Sequence, residues 1–187
     1  MAKTRTFIAI NLPQEIKQEL GNWVENIKKD INTGVKWVKP ENFHLTLHFL
    51  GYLEEKQLEQ VKTILQSSVF KTDIVLKIKK PDCFPNQNRP RVLFFKCEEK
   101  ENNNLINLQQ IIGQSLKHIG MEVDDRVWQI HLTFARVKMP IKLPTSFKKE
   151  IPDLKFKIKS IDLMKSVLRR TGPIYSIIES FPLKSIC

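Results

Sequence analysis

Long apolar runs are missing from this chain of 187 residues. None approaches the 18 or so residues a bilayer-crossing helix needs, so no transmembrane helix is expected. The opening Met1-Ala2-Lys3-Thr4-Arg5 leads straight into a strand-like run. It shows neither a signal-peptide apolar region nor a Ser/Arg-rich transit segment, which predicts a cytoplasmic location. Cysteine is scarce: Cys83, Cys97 and Cys187 are odd in number and widely scattered. That excludes a disulfide framework and a zinc-ligand spacing, and Cys187, as the last residue, cannot open a prenylation box. Isolated reduced thiols are expected. Acidic side chains are short in supply, with 20 against 31 basic ones and a net charge of +11. The excess is strongest from Lys138 to Cys187. Such a balance favours a polyanionic partner, RNA or DNA first, although a solvated basic surface explains charge alone equally well. No RNP1-type aromatic cluster, linker or low-complexity stretch is present.

What is there is enough for one packed domain over residues 1–187, with two small lobes sharing a core. Thr4 to Asn11 alternates and reads as a strand, and Pro13 suits the first turn of a helix. Ile16, Leu20, Trp23, Val24, Ile27 and Ile31 recur at helical spacing until Gly34. Val35 to Val38 and Phe43 to Leu50 read as strands, the second broken by Gly51. A second helix runs from Glu54 to Val69. Asp73 to Lys79 is a strand, Pro81 to Pro90 a loop, and Arg91 to Cys97 a strand. Asn102 or Asn103 caps a third helix with Leu105, Leu108, Ile112, Leu116 and Ile119 on one face, and Gly120 stops it. Ile130 to Val137 is a strand and Pro140 to Pro152 a loop with room for one helical turn. Leu154 to Leu163 and Ile174 to Phe181 are strands separated by the Gly172-Pro173 turn. Strands and helices mix without strict alternation, which predicts an α+β fold with mainly antiparallel sheets. Similar content in the two halves suggests a bilobal, pseudo-two-fold arrangement around a central cleft.

The pattern His-x-Thr-x occurs twice, as His44-Leu45-Thr46-Leu47 and His131-Leu132-Thr133-Phe134. Strand side chains alternate faces, so each copy sets an imidazole and a hydroxyl side by side. Strict alternation puts His48 with His44 and Thr46, and Ala135 with His131 and Thr133. It sends Leu45, Leu47, Phe49, Leu132 and Phe134 to the core. A single His on a strand is more often a satisfied structural residue, and Thr favours strands anyway; the doubling is what makes a functional pair. A metal site is disfavoured, because His44 and His48 would stand about 13 Å apart on a strand at roughly 3.3 Å per residue, and few acids lie nearby. No metal and no cofactor is expected. In-line cleavage of a phosphodiester needs a base on one side of phosphorus and an acid on the other. Two histidines can be one neutral and one protonated near neutral pH, and two Thr hydroxyls can hold the charged oxygens. Alternation turns Arg136 away from His131. Its place near the strand end lets the chain turn it back to a phosphate, with a solvated surface arginine as the alternative.

At these residues the chain resembles the RNA 2′,3′-cyclic phosphodiesterases, also called 2′-5′ RNA ligases, of the two-histidine phosphoesterase superfamily. Arg5-Thr6-Phe7-Ile8-Ala9-Ile10 resembles the family's opening strand. Trp37-Val38 and Asn42 to Gly51 resemble its first motif region, and Arg89 to Phe94 its central strand. His131 to Arg136 resembles the second motif, and Ser166 with Gly172-Pro173-Ile174-Tyr175 the C-terminal signature. The resemblance implies metal-free hydrolysis of an RNA 2′,3′-cyclic phosphate end to a 2′-phosphomonoester, with His44 the proton donor and His131 the proton acceptor. Thr46, Thr133 and Arg136 would bind the phosphate. The family's second name adds reversible 2′-5′ RNA ligation as an activity to test. The implied partner is RNA or an oligonucleotide with a cyclic phosphate end, met by a monomer. Two positions depart from the family pattern: His48 stands where Lys is usual, bearing on cleft charge, and Ile130 where Pro commonly precedes the second His. Two other readings compete. One is a non-catalytic basic RNA-binding module, which predicts salt-sensitive binding indifferent to either His. The other keeps the scaffold but acts on small cyclic nucleotides or 2′-5′ oligonucleotides.

Overall fold

The computed structural model describes residues 3–31, 33–67, 73–100, 103–170 and 172–183. Among these residues nine strands form two sheets, and every strand pairing is antiparallel. The first sheet has the order β3 (His44–Leu53), β1 (Thr4–Asn11), β8 (Ser160–Arg169), β9 (Gly172–Pro182). The second has the order β2 (Val35–Trp37), β6 (His131–Val137), β5 (Val92–Glu99), β4 (Val75–Phe84), β7 (Lys155–Lys157). Three helices flank them: α1 (Gln14–Lys28), α2 (Glu55–Ser67) and α3 (Asn104–His118). The α+β, two-sheet, bilobal architecture is therefore as the sequence predicts.

Each lobe is completed by the other's sequence neighbourhood. Helix α1 leaves the first sheet but packs Trp23 edge-on against Phe95 and Phe134 of the second. Helix α3 leaves the second sheet but lies against β3 of the first, where Gly113 abuts the His48 ring. One apolar core runs through both lobes, from Ile8 and Leu45 to Leu93 and Phe134. Removing this much aliphatic and aromatic surface from water is the main driving force holding the lobes together.

Several boundaries differ from the sequence reading, each for a local reason. Pro13 sits just ahead of α1, and the helix ends at Lys28, three residues short of Ile31, which is buried all the same. Gly51 does not end β3. Its φ of +74° is absorbed by an irregularity opposite Thr6 and Phe7, a conformation open to glycine, and the strand continues to Leu53. Pro81 lies inside β4, at a break in register between Ile78 and Pro81 where no ladder donor is needed. The run Leu154 to Leu163 is two strands, because the chain passes from the second sheet to the first between Lys157 and Ser160. Asn103 precedes α3 with φ 53° and no side-chain cap. The Glu99 carboxylate instead accepts from the amides of Asn104 and Leu105. The other end of α3 is as expected: Gly120 (φ +79°) and Met121 return hydrogen bonds to Lys117 and Leu116. Asn102, Val69 and Cys187 lie outside the described residues.

Candidate active site

Each His-x-Thr-x strand is an edge-side neighbour of the other across the two sheets. The indole N–H of Trp128, just before β6, donates to the Thr46 carbonyl of β3 at 3.1 Å. The two motifs are built alike. The Nδ1–H of His44 donates to the carbonyl of Asn42 at 2.7 Å, and that of His131 donates to the carbonyl of Gln129 at 2.8 Å. A carbonyl can only accept, so both rings carry their proton on Nδ1 and leave Nε2 for chemistry. At the first motif the Thr46 hydroxyl lies 3.1 Å from His44 Nε2 and donates to it while the ring is neutral.

Aromatic rings brace each imidazole. Phe7 and Tyr175 stand 5.0 and 5.1 Å from His44, and Phe94 and Phe84 stand 5.4 and 5.5 Å from His131, centroid to centroid. Such packing fixes ring orientation, so each Nε2 is aimed before a substrate arrives. The first sheet curls so that its edge strands meet over the concave face. The Asn42 side chain donates to the Pro173 carbonyl at 3.3 Å, tying β9 to the turn that leads into β3. A cavity of about 200 Å³ lies in that curl, bordered by His44, Asn11, Lys17, Asn42 and Tyr175.

Both motif strands bulge immediately after the motif. Opposite β1 the register skips Leu47, and opposite β5 it skips Phe134. A bulge reverses the alternation beyond it. This corrects the strict-alternation reading at four positions. His48 turns into the protein, 5% exposed, and bonds the Gln109 carbonyl of α3 at 2.8 Å. Its departure from the family's usual Lys therefore lies behind the sheet and adds no charge to the cleft. Phe49 comes out to the site face, 63% exposed, and Ala135 is buried. Arg136 emerges on the face of His131 and Thr133. Its charge reaches Tyr175 of the opposite lobe, where it and Arg5 counter the upward push of burial on the phenol pKa.

Crowding by protein atoms lowers the pKa of His44 from 6.5 to about 4, although one edge of the ring still meets solvent. The Asn42 carbonyl opposes that shift, and the charges of Lys17 and His131 reinforce it. Lys17 is itself buried, its ammonium donating to the Glu41 carbonyl at 2.9 Å, next to the carbonyl that holds His44. Burial lowers its pKa, with Asp162 and Glu41 acting the other way. The structure thus sets Thr46 beside His44, puts His44 within reach of the His131 charge, and turns Arg136 to the face that carries His131 and Thr133. It adds Lys17, Arg5, Tyr175 and Trp128. No spacing rule could have found these, because their roles run through backbone carbonyls and through contacts between lobes. Cys83 and Cys97 are buried free thiols, the latter pushed up to about 12 by burial. Among the described residues, no cluster of three or more His, Cys, Asp or Glu could hold a metal ion. Nor, among the described residues, is any helix long and apolar enough to cross a membrane.

Comparison with known proteins finds relatives over nearly the whole chain. Residues 10–94 match the model of the LigT-like phosphoesterases. An RNA 2′,3′-cyclic phosphodiesterase of Methanocaldococcus jannaschii is 34% identical over 182 residues, covering 95% of this chain and 99% of that protein. One from Thermotoga maritima is 29% identical over 93% of this chain and 92% of its own length. Among solved structures, TT0787 of Thermus thermophilus superposes with a TM-score of 0.78 at 26% identity, covering 97% of this chain and 98% of that one. E. coli LigT complexed with 3′-AMP shares the fold, with a TM-score of 0.79 at 19% identity, covering 97% and 98% of the two chains. A likeness of this extent means that the chain belongs to the LigT-like family of two-histidine phosphoesterases.

Proposed function

We propose that the protein hydrolyses the 2′,3′-cyclic phosphate end of RNA to a 2′-phosphomonoester, with no metal taking part. The observation that carries this reading is the repeated construction of the two histidines, each held through Nδ1 by the carbonyl two residues earlier and so left with Nε2 for chemistry, His44 Nε2 lying beside the Thr46 hydroxyl. The names of the relatives supply the substrate class. In the reaction His131 Nε2 removes a proton from water as its oxygen attacks phosphorus. The bond from phosphorus to the 3′ oxygen breaks, and His44 Nε2–H gives that oxygen its proton. The phosphate remains on the 2′ oxygen, and the two rings restore their protons through solvent. Thr46, Thr133 and Arg136 donate to the non-bridging oxygens, where charge accumulates.

His44 must carry a second proton to act as the acid, yet with a pKa of about 4 it is neutral in the free protein near pH 7. The substrate supplies the remedy: a phosphate anion docking beside the ring brings a negative charge that favours the protonated form. Joining to a 5′-hydroxyl in a 2′-5′ linkage uses the same groups in the same sense, the 5′ oxygen attacking phosphorus in place of water; cleavage of that linkage back to the cyclic phosphate runs them in reverse. The buried thiols suit a reducing compartment, and we place the enzyme in the cytoplasm as a monomer.

The decisive measurement is turnover of a cyclic-ended RNA in EDTA, with the phosphate position identified in the product. His44→Ala and His131→Ala should each cost about 10²–10⁴-fold in kcat while leaving the fold intact. Turnover that survives loss of both imidazoles ends this reading. RNA binding without any turnover would favour the non-catalytic module.

A further inference from the structure

The β8–β9 hairpin carries features that the two-histidine chemistry does not use. Strand β1 pairs with β8 only from Asp162 to Lys165, so the remainder of the hairpin runs on without a third strand. From Leu163 to Ile178 the sequence has three basic side chains, Lys165, Arg169 and Arg170, and no acid. All three are exposed, and among the described residues none joins an ion pair. Register places Ser166 opposite Tyr175 and Leu168 opposite Pro173, on the face that looks at His44. Arg5 extends the same face by donating to the Ser166 hydroxyl at 2.9 Å. Leu168 stands 63% exposed at its outer end. The Asn42–Pro173 hydrogen bond pins this hairpin beside the first histidine, so Arg169 and Arg170 project only about two residues, roughly 5–7 Å, beyond that pin.

We propose that the hairpin tip is a docking arm for the RNA strand on the 5′ side of the cyclic phosphate, with Arg169 and Arg170 meeting its upstream phosphates and Leu168 covering a base or ribose. This rests on the proposed reaction. A cyclic 2′,3′ end leaves the chain only one direction in which to continue, and that continuation is a single strand of phosphates. Unpaired arginines match phosphates in charge and in fork geometry, and an exposed apolar side chain among them suits the face of a sugar or base. An arm of this kind makes a strand of several nucleotides a better substrate than a cyclic mononucleotide. Wild-type discrimination between the two is then the arm's own signature.

The test compares 2′,3′-cyclic AMP with a cyclic-ended RNA oligomer, using wild type and the double variant Arg169→Ala/Arg170→Ala. The oligomer's kcat/KM should fall about tenfold, mainly through KM, and the slope of log affinity against log salt should become shallower by about 1.4, or 0.7 per lost phosphate contact. Turnover of the mononucleotide should not change, and Arg169→Lys/Arg170→Lys should restore most of the salt slope. Equal losses on both substrates, or no loss on the oligomer, overturn the arm. Fluorescence anisotropy with the same oligomer keeps the two readings apart. Salt-sensitive binding lost in the double variant, in a protein that turns over neither substrate, would retain the arm and sink the reaction.

Discussion

At the scale of single residues, the site depends on where protons sit before substrate arrives. The groups facing the His44 ring are Lys17 from α1, His131 from β6 and Tyr175 from β9, with Glu41 beside Lys17. Lys17 and the crowding act together to keep the ring neutral. Burial is the larger cause and stays in Lys17→Met, so replacing the ammonium should raise the His44 pKa only modestly above about 4, as read by NMR titration of the ring. An unmoved titration would mean that Lys17 acts only through the Glu41 carbonyl. The same shift has a stability consequence. His44 titrates lower when folded than when unfolded, so below pH 6.5 the unfolded chain binds the extra proton. Stability should be unaffected above pH 6.5 and fall as the pH drops through the window to about 4, by up to about 3 kcal/mol from this group. Denaturant titrations at pH 7 and pH 4 check this, and His44→Gln should flatten the difference. The histidines and threonines were legible in the sequence because type and spacing survive without coordinates. Lys17 was not, since a helical lysine looks solvated until the turn of Pro40–Asn42 covers it.

At the scale of elements, the two bulges decide which side chains serve the site. Period-two alternation holds through His44–Thr46 and His131–Thr133 and fails one residue later in each strand. It therefore places the motifs correctly and misplaces His48, Phe49, Ala135 and Arg136. No sequence signal marks these bulges, because they arise where a strand coils to follow its neighbour. The packing behind the first bulge is testable. Gly113 of α3 lies so close to His48 that an added Cβ would sit 2.9 Å from the ring, and the ring is held by its bond to Gln109. Gly→Ala in a helix ordinarily gains up to about 1 kcal/mol. Here Gly113→Ala should lose about 1–2 kcal/mol, measured by denaturant unfolding. In a His48→Ala background the sign should revert, a coupling that only direct contact produces. Gly21 of α1 offers a parallel case on the catalytic side. Its added Cβ would meet Pro40 at 2.7 Å and push the turn that holds His44. Gly21→Ala should lower kcat by roughly tenfold or more with a smaller change in stability, and an unchanged kcat would show that the turn can shift without moving the ring.

At the scale of the whole molecule, the reaction requires two lobes at a fixed separation. The Trp128–Thr46 hydrogen bond links the segment entering β6 to β3, the two strands that carry the histidines, while the Asn42–Pro173 tie closes the curl of the first sheet. Trp128→Phe removes the first while keeping most of the buried area. It should cost about 1 kcal/mol in stability but a larger share of kcat, and a loss confined to stability would assign the indole a packing role alone. The two-lobed α+β plan was readable from the order of strands and helices. The composition of each sheet was not. The lobes do not correspond to the two halves of the chain: β8 and β9 complete the first sheet, while β2 and β7 border the second. Local pattern records which residues are extended and which face is apolar, but not which distant strand offers the pairing edge. The sequence alone determined the two imidazole–hydroxyl pairs, because residue type and a spacing of two survive without coordinates; the proposed acid, base and oxyanion clamp rest on them. Only the tertiary structure decided the tautomers, the depressed His44 pKa and the outward turn of Arg136. These depend on carbonyls, burial and charges contributed by residues far away in the chain.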